Sequence, residues 1–129
     1  MEFNSQICTT RFQSERLLAL GLKKETADMT YLNDKICAAS YNEMECPYDN
    51  LVKPAWTLHR LKCLLPEKTP FGDGYLTVEV INENVYIVLV MENVEQRVLK
   101  YTKGNLYDNL ISCINFFVKE SLFNKEYLE

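Results

Sequence analysis

Residues 75–102, YLTVEVINENVYIVLVMENVEQRVLKYT, decide how the rest of the chain is read. Leu76, Val78 and Val80 alternate with Thr77 and Glu79, the period of a strand with one wet face, so Tyr75–Ile81 is expected to be extended. Asn82-Glu83-Asn84 supplies turn chemistry. Val85–Met91 then runs almost wholly apolar and β-branched, as a central strand covered on both faces would. After Glu92-Asn93, Val94–Thr102 alternates again, and Arg97 and Lys100 give it polar positions suited to a sheet edge. The stretch predicts an antiparallel meander.

Working outward, Gly104-Asn105 sets up a helix over 105–121. Asn105 is its cap, Asp108 lies near its positive end, and Leu106, Leu110, Cys113, Ile114 and Phe117 follow one face. On the other side, Gly72-Asp73-Gly74 is a turn opening the first strand. Before it, Pro54 suits the first turn of a helix, where its missing N–H has no intrahelical partner, and Pro66 blocks continuation. A helix over 54–65 is therefore expected, with a stripe of Leu58, Leu61, Leu64 and Leu65. Nearer the N-terminus, Thr10 and Gln13 stand in the capping-box relation. Phe12, Leu17, Leu18 and Leu20 lean to one side, and Gly21-Leu22 supplies a Schellman ending, which predicts a helix over 10–20.

Residues 30–52 hold no sustained period and are read as irregular, with short strands near Met29–Leu32 and Asn50–Lys53. The tail 122–129 keeps Phe123, Tyr127 and Leu128 and either docks or frays. The expectation is an α+β fold in a single domain, 1–129. Its antiparallel sheet has three to five strands and is packed by helices 10–20, 54–65 and 105–121.

Composition narrows the classes of function. A chain of 129 residues with 47% hydrophobic and 25% charged residues is of ordinary globular composition, and a chain of that size buries about two-thirds of its unfolded surface. Val85–Met91 and Leu110–Val118 are the longest uncharged apolar runs, far short of the roughly 20 residues of a membrane helix. No membrane partner is expected. Met1–Gln6 has neither the basic start nor the apolar run of a secretory signal, so a cytoplasmic location is expected. The five cysteines are an odd number at irregular spacing, which favours reduced thiols. A net charge of −4 without a basic cluster beyond Lys23-Lys24 makes nucleic acid a poor partner. A basic face would have to be assembled from Lys23, Lys24, Arg60, Lys62 and Lys68.

Sites of chemistry are sparse. His59 precedes Cys63 by four residues, so the two side chains can meet on one helical face, either as a candidate nucleophile and base or as a structural pair on a packed helix. A working cysteine also needs its thiolate stabilised and its imidazole oriented, and no glycine elbow or acidic orienter adjoins the pair. Cys46, His59 and Cys63 resemble the rear half of a zinc finger, but Cys37 and Cys46 are too far apart to make the front pair. Glu43 and Glu45, or Glu92 and Glu95, lie in polar surroundings where nothing raises a carboxyl pKa. No metal, cofactor or catalytic residue is assigned. The aromatic supply is more informative: Tyr31, Tyr41, Met44, Tyr48 and Trp56 cluster around the irregular segment, and such residues are enriched at interface centres. Packing in the core competes with that reading, above all for Trp56.

Ser14–Leu22 with Glu25–Met29, and Pro54–Leu58 with Leu64-Leu65-Pro66, carry the motifs Leu-Gly-Leu, Thr-Ala-Asp-Met and Pro-Ala-Trp-Thr-Leu. In these motifs the chain resembles a group of small uncharacterised proteins from gut anaerobes, their phages and mobile elements, over about half its length. The resemblance implies an accessory role and brings no activity with it. The expected function is that of a noncatalytic accessory protein binding another protein or itself, for instance through the edge strand. The alternative is a small cysteine-dependent hydrolase or transferase using Cys63 and His59.

Overall fold

The computed structural model describes residues 6–32, 35–38, 52–91, 96–102 and 104–129. Along the chain these form α1 (Arg11–Ala19), β1 (Met29–Leu32), β2 (Lys35–Ala38), β3 (Val52–Ala55), α2 (Leu58–Leu64) and β4 (Thr69–Phe71). Then follow β5 (Gly74–Ile81), β6 (Asn84–Met91), β7 (Arg97–Thr102) and α3 (Leu106–Lys119). This is an α+β fold with two antiparallel sheets, ordered β2-β1-β3 and β4-β5-β6-β7. No helix among the described residues is long and apolar enough to cross a membrane. The chain divides into two units: Met1–Lys62 with Glu126–Glu129, and Cys63–Lys125.

The second unit is built on the expected meander. β5 pairs with β6 from Gly74↔Met91 to Ile81↔Asn84, leaving Asn82-Glu83 as a two-residue turn. Asn82 has φ +58, the positive value such turns need at their first central residue and that Asn tolerates better than most. β6 is central as expected. Val85, Ile87 and Val88 are buried while Tyr86, Leu89, Val90 and Met91 are half-buried, so its cover is graded rather than complete. β7 pairs with β6 through a bulge between Ile87 and Val88 that leaves Leu99 as the extra residue. A fourth strand, β4, is added ahead of the meander. Its partner Gly74 must be glycine, because a Cβ there would stand 2.2 Å from the Val90 carbonyl oxygen.

α3 packs on β6 and β7 and buries Leu110, Ile111, Cys113, Ile114 and Phe117. The Asn105 side chain accepts from the backbone N–H of Tyr107 at 2.8 Å, the cap expected from sequence. The buried Asn109 amide donates to the carbonyls of Glu83, at 2.7 Å, and Gly104, which fixes the β5–β6 turn to this helix. At the far end Leu122 N–H reaches the Phe117 carbonyl and Ser121 N–H that of Val118. That is a Schellman ending with Ser121 at φ +58.

In the first unit α1 carries the full capping box, Gln13 N–H to Thr10 Oγ1 at 3.1 Å and Thr10 N–H to Gln13 Oε1 at 2.9 Å. It ends as expected, with Gly21 at φ +100 and Leu22 N–H bonded to the Leu17 carbonyl. The buried side of this helix differs from the expectation. Leu17 is buried, but its companions are Gln13 and Ser14, while Phe12 is 72% exposed.

Two further departures lie in this unit. The irregular reading of 30–52 misses β2, whose Lys35–Ala38 pairs with β1 from Met29↔Ala38 to Leu32↔Lys35; the short strand Met29–Leu32 is found at its expected bounds. Pro54 and Ala55 end β3 instead of starting a helix, with Pro54 opposite Thr30 on an outer strand, where a residue without an N–H is tolerated. The helix begins at Leu58. Its cap is Thr57, whose Oγ1 accepts from Arg60 N–H at 3.2 Å while Asp28 accepts from Thr57 N–H at 2.9 Å and from its hydroxyl.

Candidate functional site

Thr9 is the node around which the aromatic residues of the first unit gather. It bonds to Trp56 twice, through its N–H to the Trp56 carbonyl at 2.8 Å and through its Oγ1 accepting from Trp56 N–H at 3.1 Å. Its carbonyl accepts from the Tyr31 hydroxyl at 2.8 Å. The fully buried Trp56 ring donates its Nε1–H to Thr26 Oγ1 at 3.0 Å, which satisfies the one polar atom of the indole.

Of the residues expected to form an interface, the structure thus joins Tyr31 and Trp56 through Thr9. Tyr31 is half-buried, with the Arg11 guanidinium 5.1 Å from its ring centre. Trp56 is a core residue and leaves no surface of its own to solvent. Tyr41, Met44 and Tyr48 lie outside the described residues.

The thiols divide by burial. Cys8 and Cys113 are buried, Cys37 and Cys63 exposed, and Cys46 lies outside the described residues. Burial pushes the Cys8 thiol above its usual pKa, against the lowering effect of its hydrogen bond with Tyr31, and the charge of Asp28 adds to the rise. A buried neutral thiol is a poor nucleophile. His59 and Cys63 are both exposed on α2. Cys63 stands in the last turn of that helix, whereas helix environments that activate thiols are N-terminal. Among the described residues no group of three or more His, Cys, Asp and Glu side chains is placed to hold a metal ion.

The basic residues do not remain a uniform reserve of charge. Arg60 is a strut, its Nε–H donating to the Thr26 carbonyl at 2.6 Å, and the Lys68 ammonium lies 5.0 Å from the centre of the Tyr75 ring. Lys53 pairs with Glu15, and this partnership holds the Glu15 carboxyl below its usual pKa.

What the second unit offers is a surface. β7 is the outermost strand among the described residues of its sheet. Val98, Leu99 and Tyr101 on it are 55%, 42% and 45% exposed. Tyr101 stands against Tyr86 of β6, their ring centres 4.9 Å apart. Its register partner holds the ring and leaves nearly half of it to solvent. The expected alternation revealed the strand, but not the bulge that turns Leu99 outward beside Val98. In the first unit the exposed apolar residues Ile7 and Phe12 were missed, because Phe12 fits an apolar helix stripe that the buried Gln13 and Ser14 displace.

No family model, no curated protein and no solved structure matches the chain.

Proposed function

We propose that this chain is a noncatalytic accessory protein that binds another protein, or a second copy of itself, through β7. The observation that carries this reading is an outer strand with three exposed apolar side chains, Val98, Leu99 and Tyr101. An outer strand offers backbone N–H and C=O groups to an incoming strand, and apolar side chains beside them add area that water leaves on contact. The net charge of −4 supports a protein partner over nucleic acid. The resemblance to small proteins of gut anaerobes, their phages and mobile elements supports an accessory role, and the odd number of irregularly spaced cysteines supports a reducing, cytoplasmic setting.

The test is a photo-crosslinker placed at Leu99 in the full chain, with sedimentation measured alongside. Crosslinks to a defined partner or to a second copy, lost when Val98→Lys and Tyr101→Ser are introduced together, are the expected result. A monomer that crosslinks to nothing, or whose crosslinks survive both substitutions, overturns the proposal.

The alternative is a cysteine-dependent hydrolase or transferase using Cys63 and His59, and the exposure of both side chains meets its requirement for access. It requires Cys63 to react faster than an ordinary exposed thiol, so iodoacetamide labelling at mildly acid pH that leaves Cys63 inert removes it.

A further inference from the structure

The first unit is discontinuous in sequence. Residues 126–129 belong to it although residues 63–125 build the other unit. They join it through an isolated bridge that follows the 3-10 turn Lys125–Tyr127: Leu128 bridges Leu22 in antiparallel sense, Lys23 N–H donates to the Tyr127 carbonyl at 2.8 Å, and Glu129 N–H donates to the Gly21 carbonyl at 2.8 Å. The segment they cover leads directly to the tryptophan. The Lys23 carbonyl accepts from Thr26 Oγ1 at 2.7 Å and from Thr26 N–H at 3.1 Å. The same Thr26 oxygen accepts from Trp56 Nε1, and the Thr26 carbonyl accepts from Arg60. One residue, Lys23, therefore links the bridged tetrapeptide, through its N–H, to the turn on which Trp56 and α2 are fastened, through its carbonyl.

We infer that Glu126–Glu129 is a latch, a tetrapeptide that closes the first unit by bridging to Gly21–Lys23 and whose release loosens the seat of Trp56 while the second unit stays folded. Two backbone hydrogen bonds and the half-buried Tyr127 and Leu128 join this tetrapeptide to the unit, and short segments at the edge of a unit open locally well before a domain unfolds. Opening leaves the N–H of Lys23 and the carbonyl of Gly21 to water. The Lys24–Thr26 turn then loses the segment that flanks it. The buried Thr26 hydroxyl, satisfied only while its turn is intact, transmits that loss to the indole.

Two variants of the full protein test this by residue-resolved native-state hydrogen exchange, with Trp56 emission recorded in parallel. One ends at Lys125. The other is Lys23→Pro, which removes the N–H that holds Tyr127; Lys23 already has φ −69 and ψ 143, within the range proline adopts. In both, the amides of Thr9, Leu22 and Trp56 are expected to exchange at least about tenfold faster and the emission to move to longer wavelength, with Ile87 and Leu110 unchanged within about twofold. Exchange in the first unit that stays at the wild-type rate in the shortened chain overturns the latch. So does an equal acceleration of both units in Lys23→Pro.

Discussion

Ser121 holds a left-handed backbone, φ +58, at the end of α3, a conformation in which a side chain costs energy and glycine does not. Ser121→Gly is therefore expected to stabilise the protein by about 0.5–1 kcal/mol in equilibrium denaturation, in contrast to the usual cost of glycine elsewhere in a helix. The same motif at the end of α1 already has glycine, which is why Gly21-Leu22 reads from sequence as a helix stop and Ser121-Leu122 does not. Caps were legible in this way wherever the residue type carries the geometry: Thr10 with Gln13, and Asn105. The buried side of α1 was not. Ser14 and Gln13 are tolerated inside because Thr9 Oγ1 lies 2.8 Å from Ser14 Oγ and because Gln6 donates to Gln13 Oε1 at 2.7 Å. Hydropathy gives no hint of such partners, and Phe12, which it favours for the core, is left in solvent.

Among elements, α2 shows two start signals in competition. Pro54 is compatible with a first helical turn, but β1 offers it a place as Thr30's partner, and Asp28 fixes Thr57 as the cap instead. Thr57→Ala removes the acceptor for Arg60 N–H and leaves Asp28 without the hydroxyl, and is expected to cost about 1–2 kcal/mol in urea or thermal unfolding. Thr57→Ser, which keeps the oxygen, should lose much less. The meander was legible because long strands repeat their alternation often enough to be recognised. β4 spans only three residues, too few for any period to emerge, whereas β2, four residues long as β1 is, follows the turn residues Asn33-Asp34 and so reads as loop; both exist because β1 and β5 offer them an edge. The interface reading divides the same way. The edge position of β7 among the described residues was legible from Arg97 and Lys100 in its sequence, whereas the outward turn of Leu99 depends on a bulge set by its pairing with β6.

At the level of the whole molecule, burial sorts the thiols into two populations. Cys37 and Cys63 are expected to react with a thiol reagent in the native protein, and Cys8 and Cys113 only as it unfolds, which peptide mapping after a timed labelling pulse reads directly. The folded pKa of Cys8 is raised above its ordinary 9.0, so the native state holds that proton more tightly than the unfolded chain does. The stability this lends is intact below pH 9.0 and drains as the pH rises through the higher folded value. Fast labelling of Cys8 in the native state would contradict the enclosure around Thr9 and Trp56. At this scale the class of fold was legible from helix and strand periods. The return of residues 126–129 to the first unit was not, because a single bridge between segments about a hundred positions apart leaves no periodic trace.

That return also decides how the chain bears mechanical load. Tension applied to its two ends passes from the segment ending at Lys23 straight across to Tyr127, so everything strung between them is shunted out of the load path while those bonds hold. The meander is then shielded from stretching by a tetrapeptide, and the first rupture along the molecule frees length without breaking a single strand of the larger sheet.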